Sequence, residues 1–260
     1  MTREDIESEC KPACAIDGAG DTTDAESKVV AENDVAHLEH RPDGLYLVRR
    51  QLETKADFAK SLPRLKQGRL QSELLVKAAK PKSLTPNANG KLIAIDATAG
   101  MGEDSLLLAA AGFEVIMFER DKVIAALLED GLSRARKDDR LAEIVSRMTL
   151  RAEDSITALE KIANDQSIAA PALILLDPMF PARTKSAAVK KKFQLIHDLE
   201  QPCDDEEKLM RTAIGARPQK VVVKRPAKGP DLASIKPAYR IIGKAIRYDV
   251  IIPSQLPDMR

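Results

Sequence analysis

Ile93-Ala-Ile-Asp-Ala-Thr-Ala-Gly-Met-Gly-Glu-Asp-Ser105 is the stretch whose reading decides the fold. An apolar run ending in Asp96 predicts a buried strand over Lys91–Asp96, and Ala97–Gly102 is a glycine-bearing turn. A helix is expected from Glu103 to Ala111, stopped by Gly112 as a natural C′ residue. Working outward, strands are expected at Phe113–Phe118, Arg147–Leu150, Ala172–Asp177, Lys220–Lys224 and Ala245–Ile252. Helices at Lys122–Arg136, Ser155–Ala163 and Lys208–Ala216 alternate with them. Apolar strands alternating with helices specify an α/β, Rossmann-like domain with a mostly parallel, doubly wound sheet covered on both faces.

Upstream the pattern changes. Residues 1–40 are acidic and polar without periodicity, and read as a weakly ordered lead-in. Residues 41–85 read as a small N-terminal α+β subdomain. It holds a strand at Gly44–Arg50, a helical stretch interrupted at Pro63 and Gly68, and a closing turn-rich linker from Pro81 to Gly90. Residues 86–260 are the main domain. Aromatic residues make up 3% of the chain and Trp is absent, so the core must rest on Leu, Ile, Val and Ala. No apolar run approaches the roughly 18–20 residues needed to span a bilayer, and the N-terminus lacks a signal-peptide core. A cytoplasmic protein without membrane contact is expected. Three cysteines, Cys10, Cys14 and Cys203, are too few and too scattered for a disulfide framework or a zinc site, so no metal is expected.

The glycine turn predicts a ligand site, because Gly100 and Gly102 permit a tight backbone path and carry no Cβ to block a ligand. Asp96 stands at the tip of the preceding strand. Glu119 ends the second strand about 20 residues after the glycines, where an acid can accept both hydroxyls of a ribose; Arg120 follows it. The third strand leads to Asp154 and Ser155, near where an adenine amine would lie. A pyrophosphate turn normally reads G-x-G-x-x-G and uses the helix N-terminus as an anion site. Here Ser105 replaces the third glycine, and Glu103 and Asp104 crowd the first helical turn. Two carboxylates would repel a pyrophosphate and suit a sulfonium and an ammonium group. That favours S-adenosylmethionine over a nicotinamide dinucleotide, and so a class I methyltransferase over an oxidoreductase.

Asp177-Pro178-Met179-Phe180 stands where the fourth strand leaves the sheet. It resembles the [D/N/S]-P-P-[Y/F] signature of methyltransferases acting on exocyclic base amines. A base amine is a poor nucleophile, because its lone pair is delocalised into the ring. The Asp177 carboxylate and the Pro178 carbonyl can accept its two N–H groups, and Phe180 can stack on the base. Arg183, Lys185, Lys190, Lys191 and Lys192 follow without an intervening acid, and Lys224 and Arg225 end the fifth strand. Net charge is only +1, so these cations mark a local polyanion site for RNA phosphates. A non-catalytic RNA-binding or assembly factor on the same fold is the alternative.

Taken in order, DATAGMGEDS, FERDKVIAALLEDGLSRA, LLDPMFPARTKSAAVKKKF and VVVKRP resemble the bacterial RsmJ family of 16S ribosomal RNA (guanine-N2) methyltransferases. The resemblance covers about residues 64 to 250 and makes Met179 a family feature. It implies S-adenosylmethionine as cofactor, with Glu103, Asp104, Glu119, Arg120, Asp154, Ser155 and Asp177 at the cofactor. It also implies small-subunit (16S) ribosomal RNA or the small ribosomal subunit as partner. Glu103 stands where the family often has Arg, and Asp154 where it has a small residue.

Overall fold

The computed structural model describes residues 35–178 and 206–256. A three-stranded antiparallel sheet comes first: β1 (His37–Arg41), β2 (Gly44–Arg49) and β3 (Leu52–Thr54), in that spatial order. Short helices follow: α1 (Leu62–Leu65), α2 (Gln67–Leu70) and α3 (Leu74–Ala79). The main domain then runs β4 (Leu92–Asp96), α4 (Glu103–Ala110), β5 (Phe113–Phe118), α5 (Lys122–Ala135), α6 (Ala142–Val145), β6 (Met148–Arg151), α7 (Ser155–Asn164), β7 (Leu173–Leu176), α8 (Glu206–Gly215), β8 (Lys220–Pro226), β9 (Tyr239–Ile242) and β10 (Ile246–Ile251).

The seven-stranded sheet has the order β6-β5-β4-β7-β8-β10-β9. The five strands from β6 to β8 pair in parallel, while β10 pairs antiparallel with both β8 and β9. The expected mostly parallel, doubly wound sheet is therefore present, with β9 as an edge strand that the sequence did not announce. Its faces sort by the period of two. Ala94, Leu173, Leu175 and Val222 face one core with α3, α4 and α5; Ile95, Ile174, Leu176, Val221 and Val223 face the other with α7 and α8. Both faces are dry, which is why these strands read as unbroken apolar runs. Strand order reverses between β4 and β7, and this switch point is where doubly wound sheets open a ligand cleft beyond the strands' C-terminal ends.

One boundary in the N-terminal region is corrected. β1 begins at His37, inside the stretch read as a lead-in, because His37–Arg41 finds hydrogen-bonding partners in Gly44–Val48. Residues 41–85 pack within the compact unit that runs from Ala36 onward. The seat is Asp130-Gly131 on α5. The Leu45 N–H donates to Asp130 Oδ2 (3.0 Å), and Arg134 donates both to Asp130 (2.8 Å) and to the Ala56 carbonyl. Gly131 makes room for Ala56, since a Cβ there would stand 2.6 Å from the Ala56 methyl. Leu45, Leu47 and Leu127 close a small apolar cluster over the junction.

Candidate active site

The tips of β4 and β7 are tied together. The Ala97 N–H donates to the Leu175 carbonyl (3.0 Å), and the Asp177 N–H donates to Thr98 Oγ1 (2.7 Å). A cleft of about 830 Å³ opens over this junction. It is lined by Asp96, Gly100, Glu103, Asp104, Glu119, Arg120, Asp154, Ser155, Asp177, Pro178 and Lys224, so nearly every described candidate meets in one place. Its volume lies in the range of small-molecule and cofactor sites.

The glycine turn works mainly through backbone geometry. Gly100 (φ +52°) and Gly102 (φ +76°) are both left-handed. At Gly102 a Cβ would strike Leu128 (2.7 Å) and Phe58 (3.1 Å), so packing alone already demands glycine there. Asp96 is buried and braces the turn, accepting from Ser105 Oγ (2.6 Å) and the Thr98 N–H (3.2 Å). Burial pushes its carboxyl up to about 7.

Glu119 is buried at the end of β5 and accepts from the Gly100 N–H (2.9 Å) and the Asp121 N–H (2.8 Å). Burial raises its pKa, and the two backbone donors oppose that shift. Each carboxylate oxygen keeps a further lone pair, so the same group can brace the turn and accept from a ligand hydroxyl. Asp154 caps α7 by accepting from the Thr157 N–H (2.9 Å), and Ser155 is buried behind it. Glu103 and Arg120 are exposed on the rim.

Asp104, Lys224 and Asp177 form a charged row. Lys224 Nζ lies 2.7 Å from Asp104 Oδ2 and 2.8 Å from Asp177 Oδ2, with Tyr248 Oη 3.5 Å from Asp104. Burial pushes the Asp177 carboxyl up, and Lys224 pulls it back. Burial likewise pushes the Tyr248 hydroxyl up.

The two cations read as an RNA rim are corrected. Arg225 points to the opposite face, where its side chain is wholly buried, donating to the Pro230 carbonyl (3.0 Å) and facing Glu206 (3.4 Å). It cannot reach a phosphate. Lys224 lies inside the cleft between two carboxylates. Phe180, Arg183, Lys185, Lys190, Lys191 and Lys192 lie outside the described residues.

Sequence reasoning overlooked a whole wall. Tyr46, Lys55, Phe58 and Lys60, all from the N-terminal region, line the same cleft. Arg41 and Lys55 stand over the Tyr46 ring at 4.4 and 4.6 Å. The charged residues of this wall are balanced, Lys55 and Lys60 against Glu53 and Asp57, so no local charge signal in the sequence marked it. Among the described residues no cluster of metal-ligating side chains occurs, and no helix is long and apolar enough to cross a membrane.

A switch-point cleft with a glycine turn, a carboxylate on the neighbouring strand and carboxylates at the first helical turn has the form of a Rossmann-like S-adenosylmethionine-dependent methyltransferase. The comparisons agree. A family described as "Putative SAM-dependent methyltransferase" matches residues 24–253. Ribosomal RNA small subunit methyltransferase J of Rhodopseudomonas palustris is 40% identical over 196 residues, 75% of this chain and 84% of that protein. The protein of the same name from Marinobacter nauticus is 43% identical over 163 residues, 63% of this chain and 57% of its own length. In Cellvibrio japonicus the match likewise spans 62% of the relative. A crystal structure of a SAM-dependent methyltransferase from Neisseria gonorrhoeae superposes with a TM-score of 0.67 at 28% identity, covering 85% of this chain and 84% of that one. The chain belongs to the ribosomal RNA small subunit methyltransferase J family.

The residues present fit S-adenosylmethionine. The cleft has the volume, Glu119 offers a buried acceptor at the ribose position of such folds, and Glu103 in the first turn of α4 favours a cationic ligand over a phosphate.

Proposed function

We propose that this protein transfers a methyl group from S-adenosylmethionine to the exocyclic N2 of a guanine in 16S ribosomal RNA of the small subunit. The observation carrying the proposal is that Glu119 and Asp177, 58 positions apart in sequence, line one cleft at the strand-order reversal. When bound, S-adenosylmethionine supplies a methyl carbon already activated by its sulfonium. What remains for the protein is largely positioning. Glu119, braced by two backbone N–H groups, accepts from the ribose, and Glu103 on the rim meets the positive end of the cofactor. The Asp177 carboxylate and the Pro178 carbonyl accept the two amine N–H groups, which turns the nitrogen lone pair towards the methyl carbon. Asp177 then receives the proton that the amine loses. Anchoring of the Asp177 backbone to Thr98 couples the base-holding tip to the cofactor turn, so both are set by one rigid junction.

Family membership and the names of the relatives support the RNA substrate. Mass mapping of ribosomal RNA tests the proposal. RNA from cells lacking the protein should lose one N2-methylguanine that purified protein restores, and an unchanged methylation map would defeat it.

A further inference from the structure

We propose that Lys224 is a positioning residue for Asp177: its ammonium ties Asp177 to Asp104, fixing the charge and orientation of the base-accepting carboxylate. This rests on the reading of Asp177 as the amine acceptor, and replaces the expectation that Lys224 grips phosphate. Asp104 opens α4 and Asp177 follows β7, so two carboxylates from separate elements converge in one partly closed cleft. Their side chains keep 17% and 38% of their surface exposed, and that of Lys224 keeps 25%. Like charges so placed would push apart or take up a proton. Contacts of 2.7 and 2.8 Å to a single ammonium resolve both problems. Lys224 engages Asp177 Oδ2, so Oδ1 lies outside that ion pair.

The charged surroundings set the sign. Burial and Asp104 push the Asp177 carboxyl up, while Lys224 and Arg225, both from β8, pull it down. Asp96 at the end of β4 is coupled to both Asp104 and Asp177, and Tyr248 of β10 faces Asp104 and Lys224. Arg225 is turned to the far face towards Glu206, so Lys224 is the counter-charge in contact. Burial alone would favour a neutral amine at Lys224, but Asp104 and Asp177 more than offset it, and the ammonium persists. Removing that ammonium should raise the pH needed to keep Asp177 ionised.

Full-length wild-type, Lys224→Met, Lys224→Gln, Lys224→Arg, Asp104→Asn and Asp177→Ala proteins would be compared with small-subunit RNA at saturating S-adenosylmethionine across a pH series. For Lys224→Met, kcat at neutral pH should fall about tenfold or more, the scale of a reacting group left slightly misplaced. Its acid limb should move up by about one to two pH units, the effect of losing an opposite charge at this range. KM for RNA should stay within about twofold, and Lys224→Arg should keep the wild-type limb. Lys224→Gln should move the limb up in the same way, which decides the matter even if Lys224→Met fails to fold, and Asp104→Asn, which removes the repelling carboxylate, should move it down. A phosphate-gripping Lys224 would instead raise KM and flatten the salt dependence with the limbs unmoved, and that result overturns the inference. Active wild type and inactive Asp177→Ala with unmoved limbs overturn this inference alone. A wild type that transfers no methyl group, or an Asp177→Ala as active as wild type, overturns the proposed function together with it.

Discussion

Replacing Gly131 with Ala sets two effects of opposite sign against each other. Gly131 lies within the 14-residue helix α5, where Ala is favoured over Gly by about 1 kcal/mol. Against that, the new Cβ would stand 2.6 Å from the Ala56 methyl and 3.2 Å from the Ala56 carbonyl oxygen, where carbon atoms pack best at about 3.5–4.0 Å. Ala56 has little room to retreat, being 1% exposed with its carbonyl held by Arg134. Overpacking of this kind costs about 1–3 kcal/mol, and loss of the Arg134 bond would add about 1–3 kcal/mol more. The steric effect wins, for a net loss of about 2 kcal/mol and a fall in Tm of about 4–8 °C. Denaturant unfolding of the Gly131→Ala protein measures it. Adding Ala56→Gly should recover most of the loss, because it removes the methyl that collides. A Gly131→Ala protein as stable as wild type, or about 1 kcal/mol more so, would refute the seating of the N-terminal sheet on α5.

Further outcomes follow from the buried charges. The Asp96 carboxyl is pushed up to about 7 in the folded protein, against roughly 3.9 in an unfolded chain. Its contribution is therefore fully present below about pH 4 and is lost as pH rises through 7, by at most about 4 kcal/mol. Asp96→Asn should flatten that decline in urea titrations at pH 5 and pH 8; an unchanged slope would count against a protonated Asp96. Arg247 is 5% exposed and donates to Asp249 (2.8 Å), Asp231 (3.0 Å) and the carbonyls of Pro226 (3.0 Å) and Gly229 (2.7 Å). Arg240 still reaches Asp249 (3.1 Å) and Asp231 (2.7 Å), so Arg247→Met chiefly strips the loop carbonyls of their donor and should cost about 2–3 kcal/mol. A loss below about 1 kcal/mol would show that the loop after β8 does not depend on it.

What the sequence made legible was local. The strand, glycine turn and helix at residues 91–111 follow from apolar runs and positive-φ glycines, and the placement of Glu119 follows from strand length. The two corrections in β8 were also within reach. Neighbouring residues on a strand face opposite ways, so Lys224 and Arg225 could not share one rim. Other features depended on distant partners. Nothing near Gly131 announces that Ala56, 75 positions earlier, will press against it. The pairing of Lys224 with Asp104 spans 120 positions and exists only because α4 begins beside the end of β8. His37–Arg41 has little strand character of its own, and is extended because the turn at Pro42-Asp43 brings it against β2.

Transfer of labelled methyl from S-adenosylmethionine into small-subunit ribosomal RNA, with wild-type, Glu119→Gln and Asp177→Ala proteins side by side, tests the central claim most directly. Wild type should place one label per RNA, recovered as N2-methylguanine. Glu119→Gln should weaken cofactor affinity about tenfold or more, the scale of a lost charge-assisted hydrogen bond, and Asp177→Ala should abolish transfer while still binding cofactor. Label appearing in RNA at the wild-type rate with Asp177→Ala, or none appearing with wild type, would contradict the account.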